Sequence, residues 1–339
     1  MKIALFAYSR QGCRTARAVM SLFSQDDIRA HTMERFEEKG FDPIRCPAKP
    51  FYGELFSWAD ALVFVGSCGI AVREIAPHVR DKRTDPAVVC IDELGHFVIP
   101  LLSGHIGGAN EMASRIAYHL GATPVITTAT DINKKFSVDA WAARNGFVID
   151  NIHRAKTVSA AILERDVPLF CDFSITTNLP NGVVLGDCGE LGIYISYRKR
   201  TPFEQTLRLI PKVLHVGIGC RRGTSSSAIH EALKEVLEQN ELDHKAVKCI
   251  ASIDLKADEA GLLKYCEDNG LTPIFYSSAE LLEVLGDFTP SAFVQSVTGV
   301  DNVCERAALR GADQLIVKKT ALNGVTVAVA AEKLEVRFG

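Results

Sequence analysis

Several ingredients of specialised proteins are scarce in this sequence of 339 residues. Charge of one sign is the first. Lys+Arg number 38 and Asp+Glu 41, a formal net charge of −3. A chain so near neutrality has no global attraction for a polyanion, which argues against a dedicated nucleic-acid binder. Long apolar runs are also missing. The N-terminal run covers only Ile3 to Tyr8 before Arg10, and residues 61–72 are interrupted by Gly66, Ser67 and Gly69. Neither makes a signal-peptide core or a membrane span, so the expectation is a cytoplasmic protein with no membrane contact. Heptads, low-complexity tracts and solenoid repeats are absent. Cysteine is plentiful at 10 residues, but no two stand at CxxC spacing. Buried reduced thiols are therefore expected and no metal site is assigned.

What is present is ordinary globular material: 47% hydrophobic and 23% charged residues. That length predicts two domains or three. Residues 1–146 alternate short apolar runs (2–7, 60–65, 87–91, 97–102, 124–127) with helical stretches, and in 109–120 Met112, Ile116 and Leu120 recur at helical spacing. The alternation resumes over 213–339. The fold class expected is α/β: two α/β domains with mostly parallel sheets flanked by helices, plus a small α+β middle module over 147–200. Residues 201–212, basic and carrying Pro202 and Pro211, read as a linker.

The densest polar and glycine-rich stretch is Leu102-Ser103-Gly104-His105-Ile106-Gly107-Gly108-Ala109-Asn110-Glu111, between an expected strand and an expected helix. In a parallel sheet such junctions lie at the carboxyl ends of the strands, where ligands bind. Glycines allow close backbone approach, and first-turn N–H groups attract anions. His105 would serve there as general acid or base. Glu93, in Ile91-Asp92-Glu93-Leu94-Gly95-His96, and Glu111 are the other catalytic candidates. Ser67, Ser103, Gly104, Gly107, Gly108 and Asn110 are candidate substrate contacts. The loops at Ser9–Gln11, Gly66–Gly69 and Thr130–Lys135, the last with Asp131 and Lys134, are expected to converge with these on one rim. Cys68 has no identifiable partner that would make it a nucleophile.

In the last part, Gly217-Ile218-Gly219-Cys220-Arg221-Arg222-Gly223-Thr224 follows a strand and opens a helix. Its spacing and the lack of an acidic residue about twenty positions on make a poor dinucleotide fingerprint. It suits carboxylates or phosphates better. Gly217 and Gly219 would expose N–H groups, Thr224 and Ser225 would supply hydroxyls, and Arg221 and Arg222 would pair bidentately with acids.

Taken together, GSCGIAVREIAP (66–77), IDELGHFVIPLLSGHIGGANEMASRIA (91–117), TPVITTATD (123–131), GIGCRRGTSSSAI (217–229), SIDLKADEAGLL (252–263) and TGVDNVCERAAL (298–309) resemble the CbiG family of cobalt-precorrin-5A hydrolases of anaerobic cobalamin biosynthesis. The resemblance spans nearly the whole chain. It implies a ring-contracted cobalt tetrapyrrole substrate bearing a δ-lactone on the ring A acetate. It also implies an activity that opens the lactone and expels acetaldehyde. The cobalt belongs to the substrate, so no protein-bound cofactor is expected; the partners implied are that substrate and neighbouring pathway enzymes. A large flat ligand with many carboxylates would suit anion-binding loops and a cleft between domains. On spacing alone, His105 with Glu93 would activate water, and the N–H groups of Gly107 and Gly108 would hold the oxyanion. One alternative is a non-catalytic tetrapyrrole carrier, since residues 213–339 also resemble stand-alone CobE-type proteins. Another is a nucleotide or sugar-phosphate enzyme using residues 217–224.

Overall fold

The computed structural model describes the whole chain except Glu37, Lys82, Arg83, Ile106 and Gly339. It divides into two compact units, Met1–Arg144 and Asn145–Gly339. No helix among the described residues is long and apolar enough to cross a membrane.

The first unit is built on a seven-stranded sheet running Asp42–Pro43, Asp27–Thr32, Lys2–Ala7, Ala61–Val65, Ala87–Ile91, Phe97–Leu102, Thr123–Pro124. Ala61–Val65 and Ala87–Ile91 are buried along their whole length, as expected of strands covered on both faces. Helix Arg10–Leu22 starts at Ser9, whose hydroxyl accepts the Gly12 N–H at 2.9 Å, and it turns Cys13, Ala16 and Val19 into the core. The strands from Asp42–Pro43 through Ala87–Ile91 are parallel. Phe97–Leu102 then runs antiparallel to Ala87–Ile91, with Val88 opposite Leu102 and Ile91 opposite Val98. Thr123–Pro124 pairs parallel to that reversed strand.

The second unit holds two five-stranded sheets. One runs Val183–Leu185, Val167–Cys171, Leu191–Ile195, Gln205–Ile210, Val148–Ile149, parallel except at the last pair. The other runs Thr272–Tyr276, Val247–Ile253, Leu214–Cys220, Val325–Ala331, Gln314–Leu322, parallel up to Leu214–Cys220 and antiparallel beyond. These three large sheets are flanked by helices, so the α/β class holds.

The linker expected over 201–212 is corrected: Gln205–Ile210 is an interior strand of the first of these sheets, with Thr206, Leu207, Leu209 and Ile210 buried. The flanking prolines and basic residues mask an apolar strand. Its Arg208 pairs with Asp243, an ion pair whose side chains are 14% and 6% exposed. The C-terminal tail also returns to the middle sheet's neighbourhood, where Glu335–Val336 pairs with Ser174–Ile175. The middle module and the last α/β part thus share one compact unit. Glu305, fully buried, accepts hydrogen bonds from the N–H groups of Thr289 and Lys319, the Thr289 hydroxyl and the Asn302 amide, tying three segments together.

Arg208→Ala leaves Asp243 buried without its guanidinium, held only by the Lys245 N–H and exposed His244, and we expect it to cost roughly 3–5 kcal/mol in chemical unfolding. Asp243, Glu259 and Glu332 all have pKa values below the usual carboxylate range. Burial pushes each upward. It is outweighed by Arg208 at the first, by the Gly223 N–H and Lys256 at the second, and by Lys248 and His215 at the third. Because the folded values are depressed, this stabilisation is complete above about pH 5 and drains away as pH falls. The midpoint of thermal unfolding should drop between pH 6 and pH 3.5, less steeply in Arg208→Ala. A flat profile would show that these carboxylates do not carry acid sensitivity.

Candidate active site

The reversed strand decides where the polar loops fall. Tyr8–Gln11, Gly66–Cys68 and Asp92–Glu93 follow strands Lys2–Ala7, Ala61–Val65 and Ala87–Ile91 at their carboxyl ends. Ser103–Asn110 follows Phe97–Leu102, which runs the other way, so it lies at the amino edge of the same strands. The Ser103 hydroxyl accordingly donates to the carbonyl of Asp85, just before Ala87–Ile91, at 3.0 Å. The single rim expected from the sequence is therefore two rims, a strand length of about 15 Å apart.

On the carboxyl rim, the Ser9 hydroxyl donates to Glu93 Oε2 at 2.7 Å while Thr15 donates to the Glu93 carbonyl. Ser67 caps helix Cys68–Ile75 through the Gly69 N–H at 3.2 Å. The partnership expected between His105 and Glu93 is overturned: they sit on opposite edges of the sheet. Glu111 makes no hydrogen bond or ion pair with His105 among the described residues. Its exposed carboxylate lies 3.7 Å from Arg144 Nη1, a contact that water screens.

On the amino rim, the partner of His105 is Asp131. His105 Nε2 lies 2.9 Å from Asp131 Oδ2 and 3.0 Å from Thr130 Oγ1. Asn110 Nδ2 donates to the same carboxylate oxygen at 2.8 Å and to Thr128 Oγ1 at 2.9 Å. Asn110 is buried, whereas the His105 and Asp131 side chains are 21% and 38% exposed, so the cluster has a dry base and a wet mouth. The chain reaches this arrangement because Thr123–Pro124 runs parallel to the reversed strand and delivers the short helix Ala129–Ile132 to the same edge.

The glycines of the loop permit tight closure. A Cβ on Gly107 would lie 2.4 Å from Ser103 Cβ, and one on Gly104 would lie 2.7 Å from Asn110 Oδ1. The Gly108 N–H is spent on the His105 carbonyl at 3.0 Å, which removes it from the expected oxyanion pair and leaves Gly107 as the remaining candidate donor. Ile106 lies outside the described residues.

In the second unit, the expected contacts of residues 217–225 are largely internal. Gly217 is a packing residue: a Cβ there would lie 1.8 Å from the Cys304 carbonyl oxygen of helix Val303–Arg310. A Cβ on Gly219 would lie 2.5 Å from Thr326 Oγ1 on the adjacent strand. The anion position of the loop is filled by the chain's own Glu259, 4% exposed, which accepts the Gly223 N–H at 2.7 Å and pairs with Lys256 at 3.1 Å. Arg222 forks onto Asp258 at 3.2 and 3.4 Å, both side chains exposed. Thr224 Oγ1 donates to the Arg221 carbonyl, and Ser225 caps helix Ser226–Gln239. Arg221 is exposed, with no ion pair among the described residues. Three or more clustered metal-ligating side chains are not found among the described residues.

Of the amino-rim cluster, His105 and Asn110 are candidate site residues of the sequence; Thr130 and Asp131 were expected on the same rim as His105, where they stand, but with no role assigned, and Thr128 was not singled out. The signal was TPVITTATD, which follows a strand as a polar loop should; the reversal of Phe97–Leu102 decides on which edge of the sheet it meets His105.

Two α/β units, a glycine-tight loop and an Asp–His pair at its mouth define an enzyme-like class. Comparisons with known proteins place it further. Residues 51–131 match the family described as Cobalamin synthesis G N-terminal, 136–211 Cobalamin biosynthesis central region, and 214–330 Cobalamin synthesis G C-terminus. A cobalt-precorrin-5A hydrolase of Priestia megaterium is 33% identical over 96% of this chain and 94% of that protein. One from Salmonella typhimurium is 34% identical over 96% of each. Protein CobE of Sinorhizobium is 31% identical over 34% of this chain and 79% of its own length. The chain belongs to the cobalt-precorrin-5A hydrolase (CbiG) family of cobalamin biosynthesis.

Gly217→Ala should overpack the strand–helix contact at Cys304 by about 1–3 kcal/mol and lower the thermal midpoint by roughly 2–10 °C. An unchanged midpoint would return Gly217 to the list of ligand contacts.

Proposed function

We propose that this chain is a cytoplasmic enzyme that hydrolyses the ring A δ-lactone of cobalt-precorrin-5A and releases acetaldehyde to give cobalt-precorrin-5B. The observation that carries the reading is the His105–Asp131–Asn110 cluster, in a chain aligned over nearly its full length with proteins named as that hydrolase. His105 takes a proton from water as its oxygen attacks the lactone carbonyl. The Gly107 N–H faces the oxygen that becomes anionic; one such donor is typically worth about 3–4 kcal/mol. The ring opens to a carboxylate and an alkoxide. The alkoxide oxygen becomes the carbonyl of acetaldehyde, and the electron pair of the broken C–C bond remains with the cobalt-bearing macrocycle, where a proton replaces the lost carbon. Water is consumed and no redox partner is needed, so the chain requires no cofactor of its own.

The periphery of such a substrate is rich in acetate and propionate groups. Arg221, exposed and without an ion pair among the described residues, is the basic residue of the 217–225 loop suited to pairing with such a carboxylate. Helix starts bind carboxylates through N–H groups that no longer have partners in the chain. Neighbouring pathway enzymes are the expected sources and recipients of the macrocycle.

The test is anaerobic incubation with the lactone-bearing cobalt-precorrin, trapping acetaldehyde and weighing the tetrapyrrole by mass spectrometry. One acetaldehyde per macrocycle, with the matching mass loss, is the expected result. His105→Ala should lower turnover at least tenfold while substrate still binds. Tight binding with no acetaldehyde from the unaltered protein would instead favour a tetrapyrrole carrier.

A further inference from the structure

We propose that Asp131 is a positioning residue that fixes the tautomer of His105, so that Nδ1 is the nitrogen that accepts the proton from water. The proposal rests on the reading of His105 as the base. Its own grounds are geometric. An ionised carboxylate offers only acceptors, so the nitrogen 2.9 Å from Asp131 Oδ2 must carry the hydrogen. That nitrogen is Nε2, and the neutral ring then keeps its lone pair on Nδ1.

Thr130 does not reverse the assignment. Its hydroxyl lies 3.0 Å from the same Nε2 and can rotate to accept a share of that hydrogen. Were it to donate to a bare Nε2, the lone pair of the ring would face the Asp131 carboxylate. The carboxylate is itself held from behind. Asn110 donates to the same Oδ2 at 2.8 Å and to Thr128 at 2.9 Å, and Asn110 is buried. Its carbonyl side is packed against Gly104, where a Cβ would stand 2.7 Å from Oδ1. The Asn110 amide turns Nδ2, its donor, towards the Asp131 carboxylate, which only accepts. The amide and the carboxylate form a chain of dependence that ends on one ring nitrogen. Outer partners of this kind fix ring orientation in other histidine sites.

Asp131→Asn places an amide where the acceptor was, so both ring tautomers become available and the base is lost from a share of molecules. We expect kcat to fall at least about a hundredfold with KM changed less than about threefold, and Asp131→Glu to recover part of the loss. The deciding readout is the tautomer itself, measured by nitrogen NMR of the full chain with labelled histidine, His105→Gln identifying the His105 signals. The unaltered protein should show hydrogen on Nε2 only, and Asp131→Asn should show a mixture. Hydrogen on Nδ1 in the unaltered protein, or an unchanged pattern in Asp131→Asn, overturns the role of Asp131 whatever the activity. Full turnover by His105→Ala overturns the reading beneath it, even where the unaltered protein shows the expected tautomer.

Discussion

The antiparallel pairing of Phe97–Leu102 with Ala87–Ile91 is the constraint from which the candidate site follows. A parallel strand there would have placed its loop beside Ser9 and Glu93, on the rim where doubly wound sheets usually bind ligands. The turn Asp92–His96 is too short for a crossover, which needs a dozen or more residues, so the chain can only fold back. Asp92 fixes that return, accepting the Phe97 N–H at 2.6 Å and the Leu94 N–H at 3.2 Å. Everything after it inherits the reversed direction. Helix Ala109–Leu120 climbs back across the sheet, Thr123–Pro124 descends beside the reversed strand, and Asp131 arrives opposite His105.

The second unit answers a similar demand in another way. A glycine-rich turn before a helix creates unpaired N–H groups that attract an anion. Here the chain supplies the anion, because Glu259 occupies the slot and Lys256 neutralises it. The close approach that makes this possible involves Gly261, where a Cβ would lie 1.9 Å from the Thr224 carbonyl. A ligand carboxylate can reach this rim only at its outer edge, which leaves exposed Arg221 as the basic side chain free of an ion pair among the described residues.

The alternation of strands and helices was legible because period and burial coincide: Ala87–Ile91 and Ala109–Leu120 stand at the residues the pattern marks. Gln205–Ile210 was not, since Arg208 interrupts the apolar run and its ion-pair partner is Asp243, 35 residues away. Strand Asp27–Thr32 and helix Ala48–Trp58 hide for a like reason, their polar and aromatic residues lacking a clean period. At the site, His105 and Asn110 were legible because glycine density marks a loop that must close tightly. Asp131 was only a polar residue after a strand. No spacing in the sequence reveals strand direction, and the Asp–His pair is a consequence of direction.

The proposal of water rather than a side chain as nucleophile has its own physical ground in the cysteines. His215 carries Glu332 on one ring nitrogen at 2.6 Å and Cys249 on the other at 3.2 Å, the arrangement of a thiol–imidazole–carboxylate triad. Geometry alone would nominate Cys249. Burial withdraws it: the thiol is inside the sheet, and desolvation pushes its pKa up to about 11. The nucleophile is the thiolate, and a thiol with that value is almost wholly protonated near neutral pH. Burial likewise pushes the thiols of Cys171, Cys266 and Cys304 up to about 11. Cys90 is raised by burial and by neighbouring Cys68, and it spends its hydrogen on the Gly66 carbonyl. These five sulfurs serve the fold as small hydrophobes. The Asp–His pair at the amino rim differs in the one respect that matters for activating water, since its imidazole is partly open to solvent while the amide that orients its carboxylate is not.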